Sequence, residues 1–264
     1  MKVAAVNAWS EPLNTYQNIK GIGAILMGLQ REGVEYALFP ELCVSGYLNS
    51  KKQLATYIDE HSLILDQLHQ LSSNTSLVFS VGLPVPLNSG WGIGQLTFKK
   101  GKLISQHAKT HLSVHEKETF EAGTNLKLAK VSEFKMGMHL CLESHYPELS
   151  MSYQHNGANL LCYAFASPRE SPEKKLERFS MYLRARAYDN ACYVMACNQT
   201  GLTPSGKRYS GAALIISPRG EVLAQSFGEE ANYCIANIEL NSISKIKNSQ
   251  MSDFPAYRNA ELEI

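Results

Sequence analysis

Short apolar runs alternate with amphipathic segments along much of this chain. Runs of strand length predict β-strands at residues 2–8, 36–39, 77–83, 93–98, 103–108, 126–131, 136–140, 160–165, 192–197, 212–216, 221–224 and 233–238. Apolar residues at helical spacing predict helices around residues 19–29, 62–71, 147–153 and 176–187. Strands that alternate with helices, with hairpins between them, indicate an α/β protein with a mixed sheet or two stacked sheets and helices outside.

Boundary signals support this reading. Asn14 and Gln17 have the spacing of a capping box at the start of the first helix, and Gly33 predicts its end. No linker, low-complexity tract or internal repeat interrupts the pattern, so we expect one domain over residues 1–264.

Composition narrows the range of partners. The chain has 264 residues, 44% hydrophobic and 19% charged, with a net charge of +1 and no clustering of basic residues. We therefore expect no nucleic-acid or membrane partner. The N-terminal residues lack the form of a secretory signal, and no apolar run has the length of a spanning helix, so a cytoplasmic location is expected.

The spacing of cysteines and histidines gives no sign of disulfides or metal sites. The six cysteines form no C-x-x-C pair, which favours reduced thiols over disulfides or a structural zinc site. The eight histidines lack H-E-x-x-H spacing. We expect no metal.

One stretch suggests catalysis. The apolar run from Met136 ends at Cys141, and a helix-forming segment follows from Pro147. A cysteine in such a turn projects its sulfur from the sheet, where a helix N-terminus and backbone N–H groups favour a thiolate and an oxyanion. A buried structural cysteine is the alternative.

Three chemically capable residues each follow a predicted strand, namely Glu41, Lys109 and Cys141. Sites in α/β proteins assemble at strand ends. A carboxylate, an ammonium group and a thiol together are sufficient for acyl transfer, because they supply a base, an oxyanion stabiliser and a nucleophile.

The sequence resembles the nitrilase superfamily of carbon–nitrogen hydrolases. The matching segments lie in one order along nearly the whole chain, at residues 39–47, 109–112, 116–123, 141–148, 156–159, 184–190 and 198–201. The resemblance implies a four-layer αββα sandwich, a cofactor-free site, and a homodimer or higher homo-oligomer whose subunits pair through helices. It also implies that Glu41 is the general base, Lys109 the oxyanion stabiliser and Cys141 the nucleophile.

A second glutamate of the superfamily aligns with Glu116, and Glu118 is the rival. Around the site, the residues predicted to contact substrate are Leu142, His145, Arg169, Tyr47 and Phe120. Arg169 is expected to bind a substrate carboxylate. The alternative for Arg169 and His145 is a solvated surface position, and the alternative for Tyr47 and Phe120 is a place in the core.

The resemblance implies hydrolysis of a small linear amide, of the ω-amide or N-carbamoyl type, through a thioester. Leu142 stands where true nitrilases usually carry Trp, which favours an amide over a nitrile. Two alternatives stay open: a nitrilase that yields a carboxylic acid and ammonia, and a catalytically silent binding protein of the same fold.

Overall fold

The computed structural model describes residues 1–202, 206, 208–249 and 252–258. Its strands are β1 Lys2–Trp9, β2 Tyr36–Leu38, β3 Val78–Leu87, β4 Gly90–Lys99, β5 Lys102–Ala108, β6 Ala129–Val131, β7 Phe134–Leu140, β8 Leu160–Phe165, β9 Tyr193–Leu202, β10 Arg208–Tyr209, β11 Gly211–Ile216, β12 Val222–Gly228 and β13 Asn232–Asn237. Its α-helices are α1 Thr15–Arg31, α2 Lys51–Ser73, α3 Pro147–His155, α4 Pro172–Asn190 and α5 Leu240–Lys247. Short 3₁₀ helices span Glu116–Glu118, Cys141–His145 and Phe254–Tyr257.

Most strands form two sheets whose strands pair with each other at one place only. The first has the order β13-β1-β2-β3-β4-β5, and the second has the order β6-β7-β8-β9-β11-β12. The ends of β1 and β9 pair through Ala8 with Gln199 and Trp9 with Thr200. The central strands β1-β2-β3 and β7-β8-β9 are parallel, as helical crossovers require.

Strand β8 shows how the layers form. Leu160, Cys162 and Ala164 join the core shared with the first sheet. The alternate residues Leu161, Tyr163 and Phe165 pack in a second core with Phe179, Leu183 and Ala187 of α4. Because side chains alternate across a strand, β8 is covered on both faces, which explains its continuous apolar sequence. Helices α1 and α2 cover the other sheet, and the predicted αββα sandwich is confirmed.

Two helix predictions need correction. Asn14 is the N-cap of α1, but its side chain donates to Glu11 Oε2 at 2.7 Å and makes no cap bond, so the predicted capping box is wrong. Helix α2 begins eleven residues before the predicted 62–71 segment, because Ser50 accepts from Gln53 N and caps it earlier. Gly33 ends α1 as predicted, with a φ of 74°.

Across the described part of the chain, no helix combines the length and the apolar character needed to cross a membrane.

Candidate active site

Glu41 lies in a tight turn just beyond β2. Val44 N donates to Gly82 O at 2.9 Å, which ties the turn to β3. A side chain at Gly82 would place its Cβ 2.2 Å from Leu42 N, so only glycine allows this close approach. From the second sheet, Gln199 Nε2 donates to Glu41 O at 2.7 Å. Both sheets therefore fix the backbone that carries the carboxylate.

Lys109 follows β5 and is fully buried. Its Nζ donates to Glu41 Oε1 and to Glu116 Oε1, each at 2.7 Å. Burial alone would lower the pKa of Lys109, but Glu41, Cys141 and Glu116 raise it well above its ordinary value. The ammonium group therefore stays charged between two carboxylates.

Glu116 is the glutamate that reaches Lys109. It begins the 3₁₀ helix Glu116–Glu118 and is buried, whereas 71% of the Glu118 side chain is exposed. Its Oε2 accepts from Ser113 N at 2.7 Å, and Tyr47 donates from its hydroxyl to Oε1 at 3.2 Å. Burial alone would raise the pKa of Glu116, but Lys109 and Ser113 lower it. Geometry thus favours Glu116 over Glu118.

Cys141 is the first residue of the 3₁₀ helix that follows β7, and its φ is 39°. Non-glycine residues rarely adopt this left-handed conformation, and it turns the thiol out of the sheet. Strand pairing places Leu140 opposite Ala164, and the backbone amide of Ala166 acts to lower the pKa of the Cys141 thiol. The half-buried thiol thus lies between the two strand ends.

The thiol does not rest as a thiolate. Burial and the Glu41 carboxylate raise the pKa of Cys141 to about 12, although Lys109 and the Ala166 amide oppose this. The expectation that the turn itself favours a thiolate is therefore wrong: desolvation and a neighbouring carboxylate outweigh the local N–H groups. A nucleophilic attack by this thiol would therefore require a base that takes its proton.

Glu41 has the properties of that base. Burial raises its pKa to about 7, with Lys109 lowering it and Glu116 adding to the rise. Its Oε1 is occupied by Lys109, while its buried Oε2 has no hydrogen-bond partner among the described residues. A buried, unpaired carboxylate oxygen beside a thiol is a proton acceptor ready for use.

Glu143 is a site residue that the sequence analysis did not single out. Its Oε2 accepts from Leu140 N at 2.7 Å and lies 2.9 Å from His107 Nε2. Its Oε1 accepts from both Thr110 N and Thr110 Oγ1 at 2.7 Å. Glu143 therefore joins the cysteine turn to the residue after Lys109. The available signal was a carboxylate two residues after the cysteine, inside the segment 141–148 that matches the superfamily.

The predicted substrate contacts divide into two groups. Tyr47 lies at the site because its hydroxyl donates a hydrogen bond to Glu116. Leu142 also lies there because it directly follows Cys141. Phe120 is also close, since its backbone N–H donates to Glu116 O at 2.8 Å, but its side chain belongs to the core. His145 is exposed, with its ring 5.4 Å from that of Tyr182, and Arg169 is exposed with a φ of 70°.

Known proteins are similar to this chain in both sequence and fold. Residues 2–248 match the family model described as carbon-nitrogen hydrolase. A 2-oxoglutaramate amidase of Bacillus subtilis (strain 168) is 33% identical over 153 residues, which cover 57% of each chain. A deaminated glutathione amidase of Mus musculus is 26% identical over 93% of this chain and 80% of its own length.

Among solved structures, an amidase from Nesterenkonia sp. aligns with a TM-score of 0.85 and 20% identity, covering 99% of this chain and 94% of that one. At 20% sequence identity, this structural similarity is evidence for the fold alone. The family match spans most of the chain and includes the Glu41, Lys109 and Cys141 segments whose side chains the fold brings together. The chain belongs to the carbon–nitrogen hydrolase family.

Proposed function

We propose that this protein hydrolyses a small linear amide, of the ω-amide or N-carbamoyl type, through a thioester on Cys141. The observation that carries this proposal is the fully buried Lys109 held between Glu41 and Glu116, with the second oxygen of Glu41 left unpaired. Burying three charged groups costs free energy that a hydrophobic cluster would not. Their presence together therefore indicates a functional site.

The first step transfers a proton as a bond forms. Since Cys141 holds its proton more tightly than Glu41 does, the transfer to Glu41 Oε2 accompanies attack of the sulfur on the amide carbon. The carbonyl oxygen gains negative charge, which Lys109 Nζ and the backbone N–H of Leu142 stabilise. The intermediate then collapses: the carbon–nitrogen bond breaks, and Glu41 returns its proton to the departing nitrogen.

The second step hydrolyses the thioester. Glu41, again ionised, takes a proton from water, and the hydroxide attacks the thioester carbon. The carbon–sulfur bond breaks, a carboxylic acid forms and Cys141 regains its proton from Glu41. Glu116 holds Lys109 in place through both steps.

The relatives support an amide as substrate. Their names describe amidases that act on 2-oxoglutaramate and deaminated glutathione, and an omega-amidase of Saccharomyces cerevisiae is 31% identical over half of this chain. Leu142 in place of Trp favours an amide over a nitrile. A small-molecule amide is thus the proposed partner, and the nitrilase and silent-protein alternatives become outcomes of the test.

The test combines ammonia release with trapping. A panel of amides, nitriles and carbamoyl compounds should give ammonia from amides or, together with carbon dioxide, from carbamoyl compounds. Intact mass should show an acyl adduct on Cys141. Cys141→Ala, Glu41→Gln and Lys109→Ala should each lower turnover by about 10²–10⁴ or more. Cys234→Ala, which removes a different buried thiol, is the matched control. Ammonia from nitriles only would establish a nitrilase, and a folded protein without turnover or adduct would establish a silent one.

Assembly and location belong to the same proposal. We infer a homodimer that pairs through α3 and α4, because Met151, Met181 and Tyr188 are exposed apolar side chains on these helices. Met181→Glu should then shift the mass measured by light scattering to that of a monomer.

All six cysteines are free thiols, which supports a reducing cytoplasmic location.

A further inference from the structure

A buried lysine on α4 lies outside the residues of the proposed mechanism. The side chain of Lys175 is fully buried. Its ammonium group contacts Ser167 Oγ at 3.0 Å, Pro168 O at 3.0 Å and Glu170 Oε2 at 3.1 Å. These contacts match the three N–H donors of an ammonium group, so none is left for a substrate. All three acceptors belong to residues 166–170, which follow β8 and which we call the post-β8 loop.

The post-β8 loop begins beside the cysteine turn. Strands β7 and β8 are parallel neighbours, and Leu140 at the end of β7 pairs with Ala164 near the end of β8. Paired strands lie about 4.8 Å apart, so Cys141 leaves the sheet next to the start of the loop. The backbone amide of Ala166 acts to lower the pKa of the Cys141 thiol, which agrees with this placement. A change in the loop should therefore reach the sulfur.

The loop has a conformation that depends on contacts around it. Arg169 and Glu170 both have left-handed backbones, with φ values of 70° and 65°. Non-glycine residues rarely adopt this conformation, and it persists only where the surrounding structure fixes it. Lys175 supplies contacts from α4. From β9, Asn198 accepts from Ser167 N at 2.9 Å and donates to Ser167 O at 3.0 Å. The loop is thus held from both sides, and the contact from α4 carries a positive charge.

That charge also bears on the thiol. Burial lowers the pKa of Lys175, and Arg178 adds to this, whereas Glu170 and the nearby Cys141 raise it. Because an ammonium group and a thiolate attract each other, the lysine favours the ionised sulfur in turn. Arg178 Nε lies 3.0 Å from Glu170 Oε2, and its Nη2 donates to Ser167 Oγ at 3.3 Å. Both groups therefore keep a partner if the lysine is replaced.

We propose that Lys175 is a positioning residue for Cys141: its ammonium group holds the post-β8 loop so that the Ala166 amide stays beside the sulfur, and it adds a positive charge there. This inference rests on the proposed role of Cys141 as the nucleophile. Since the donors of Lys175 are all used within the protein, the lysine acts on the reactivity of the sulfur and not on the affinity for substrate.

The test measures alkylation of Cys141 by iodoacetamide as a function of pH, with peptide mass mapping to follow each cysteine separately. Lys175→Met keeps an unbranched side chain and removes the ammonium group. It should lower the rate constant at Cys141 about tenfold at each pH between about 6 and 9, because a rise of about one in the pKa of the thiol lowers the thiolate fraction tenfold. The matched control is Lys174→Met, which removes the exposed lysine next to it and should react like the wild type.

Turnover of an amide separates positioning from substrate binding. Lys175→Met should lower kcat about tenfold and change KM less than about twofold, because the lysine contacts no substrate. Ser167→Ala removes one contact of the lysine and keeps its charge. It should lower both kcat and the alkylation rate about two- to threefold, which matches the loss of one hydrogen bond. Thermal unfolding shows whether each variant is folded, and Ser167→Ala decides the outcome if Lys175→Met is not.

Several results would overturn the proposal. A folded Lys175→Met protein with the wild-type alkylation rate at Cys141 is one, and an equal loss in Lys174→Met is another. Faster labelling of all six cysteines would show a general loosening of the fold instead, and a change in KM alone would show a substrate contact. Ser167→Ala at the wild-type rate would have the same force where Lys175→Met does not fold. If the wild type released no ammonia from any amide, the proposed function would fail, while the alkylation rates would still decide the role of Lys175.

Discussion

Replacing Glu143 by glutamine should destabilise the protein and displace Cys141, the proposed nucleophile. The carboxylate contacts Leu140 N, His107 Nε2, Thr110 N and Thr110 Oγ1 at 2.7–2.9 Å and is 1% exposed. A glutamine oxygen can replace only one carboxylate oxygen, and its NH₂ group would face an N–H donor. If the NH₂ faces Leu140, one buried amide loses its acceptor. If it faces Thr110, two donors are affected.

The magnitude follows from the same contacts. Each buried donor left without a partner costs about 1–3 kcal/mol, and bonds to a charged acceptor lie at the upper end. The pKa of Glu143 leads to a similar figure. Burial alone would raise this pKa, but His107 and Thr110 lower it from 4.5 to about 2. That difference corresponds to about 3 kcal/mol of preference for the ionised carboxylate at neutral pH. We therefore expect Glu143→Gln to lower the free energy of unfolding by about 3 kcal/mol.

The assay is urea unfolding near neutral pH, with Glu118→Gln as the control because that side chain is 71% exposed. The pH dependence has a definite sign: a carboxylate with a lowered pKa stabilises the fold above pH 4.5 and loses this effect as pH falls toward 2. The difference between wild type and Glu143→Gln should shrink over that window. A Glu143→Gln protein within about 0.5 kcal/mol of the wild type at neutral pH would show that the four contacts do not support the turn.

Three further predictions test the site and its framework. Because burial raises the pKa of Glu41 to about 7, kcat/KM for an amide should fall about tenfold per pH unit below 7 and level off above it; a profile flat to pH 5 would exclude Glu41 as the base. Gly82→Ala should cost about 3 kcal/mol or more and reduce turnover, since its Cβ would meet Leu42 N, whereas Gly28→Ala, in open space on α1, should add about 0.5–1 kcal/mol in thermal unfolding. Ser50→Ala should cost about 1 kcal/mol in the same measurement by removing the N-cap of α2.

The sequence predicted most strands and helices in their correct order, because burial of one or both faces gives each element a periodic apolar pattern; β10 and α5 were not predicted. β8 is apolar throughout since both of its faces are covered, and α4 carries Phe179, Leu183 and Ala187 on one face. The limits of α2 were harder to predict. Its first turns bury only Leu54 and Tyr57, and its start depends on one serine cap rather than on a hydrophobic repeat.

The sequence by itself determined which chemistry was available: a carboxylate, an ammonium group and a thiol, each just after a predicted strand, and the motifs that surround them. Only the tertiary structure decided how those groups behave. Contact with Lys109 distinguishes Glu116 from Glu118, and burial beside Glu41 gives Cys141 a raised pKa rather than the lowered one that the turn suggested. Both outcomes depend on distance and desolvation, which arise when remote segments pack together and which no local pattern encodes.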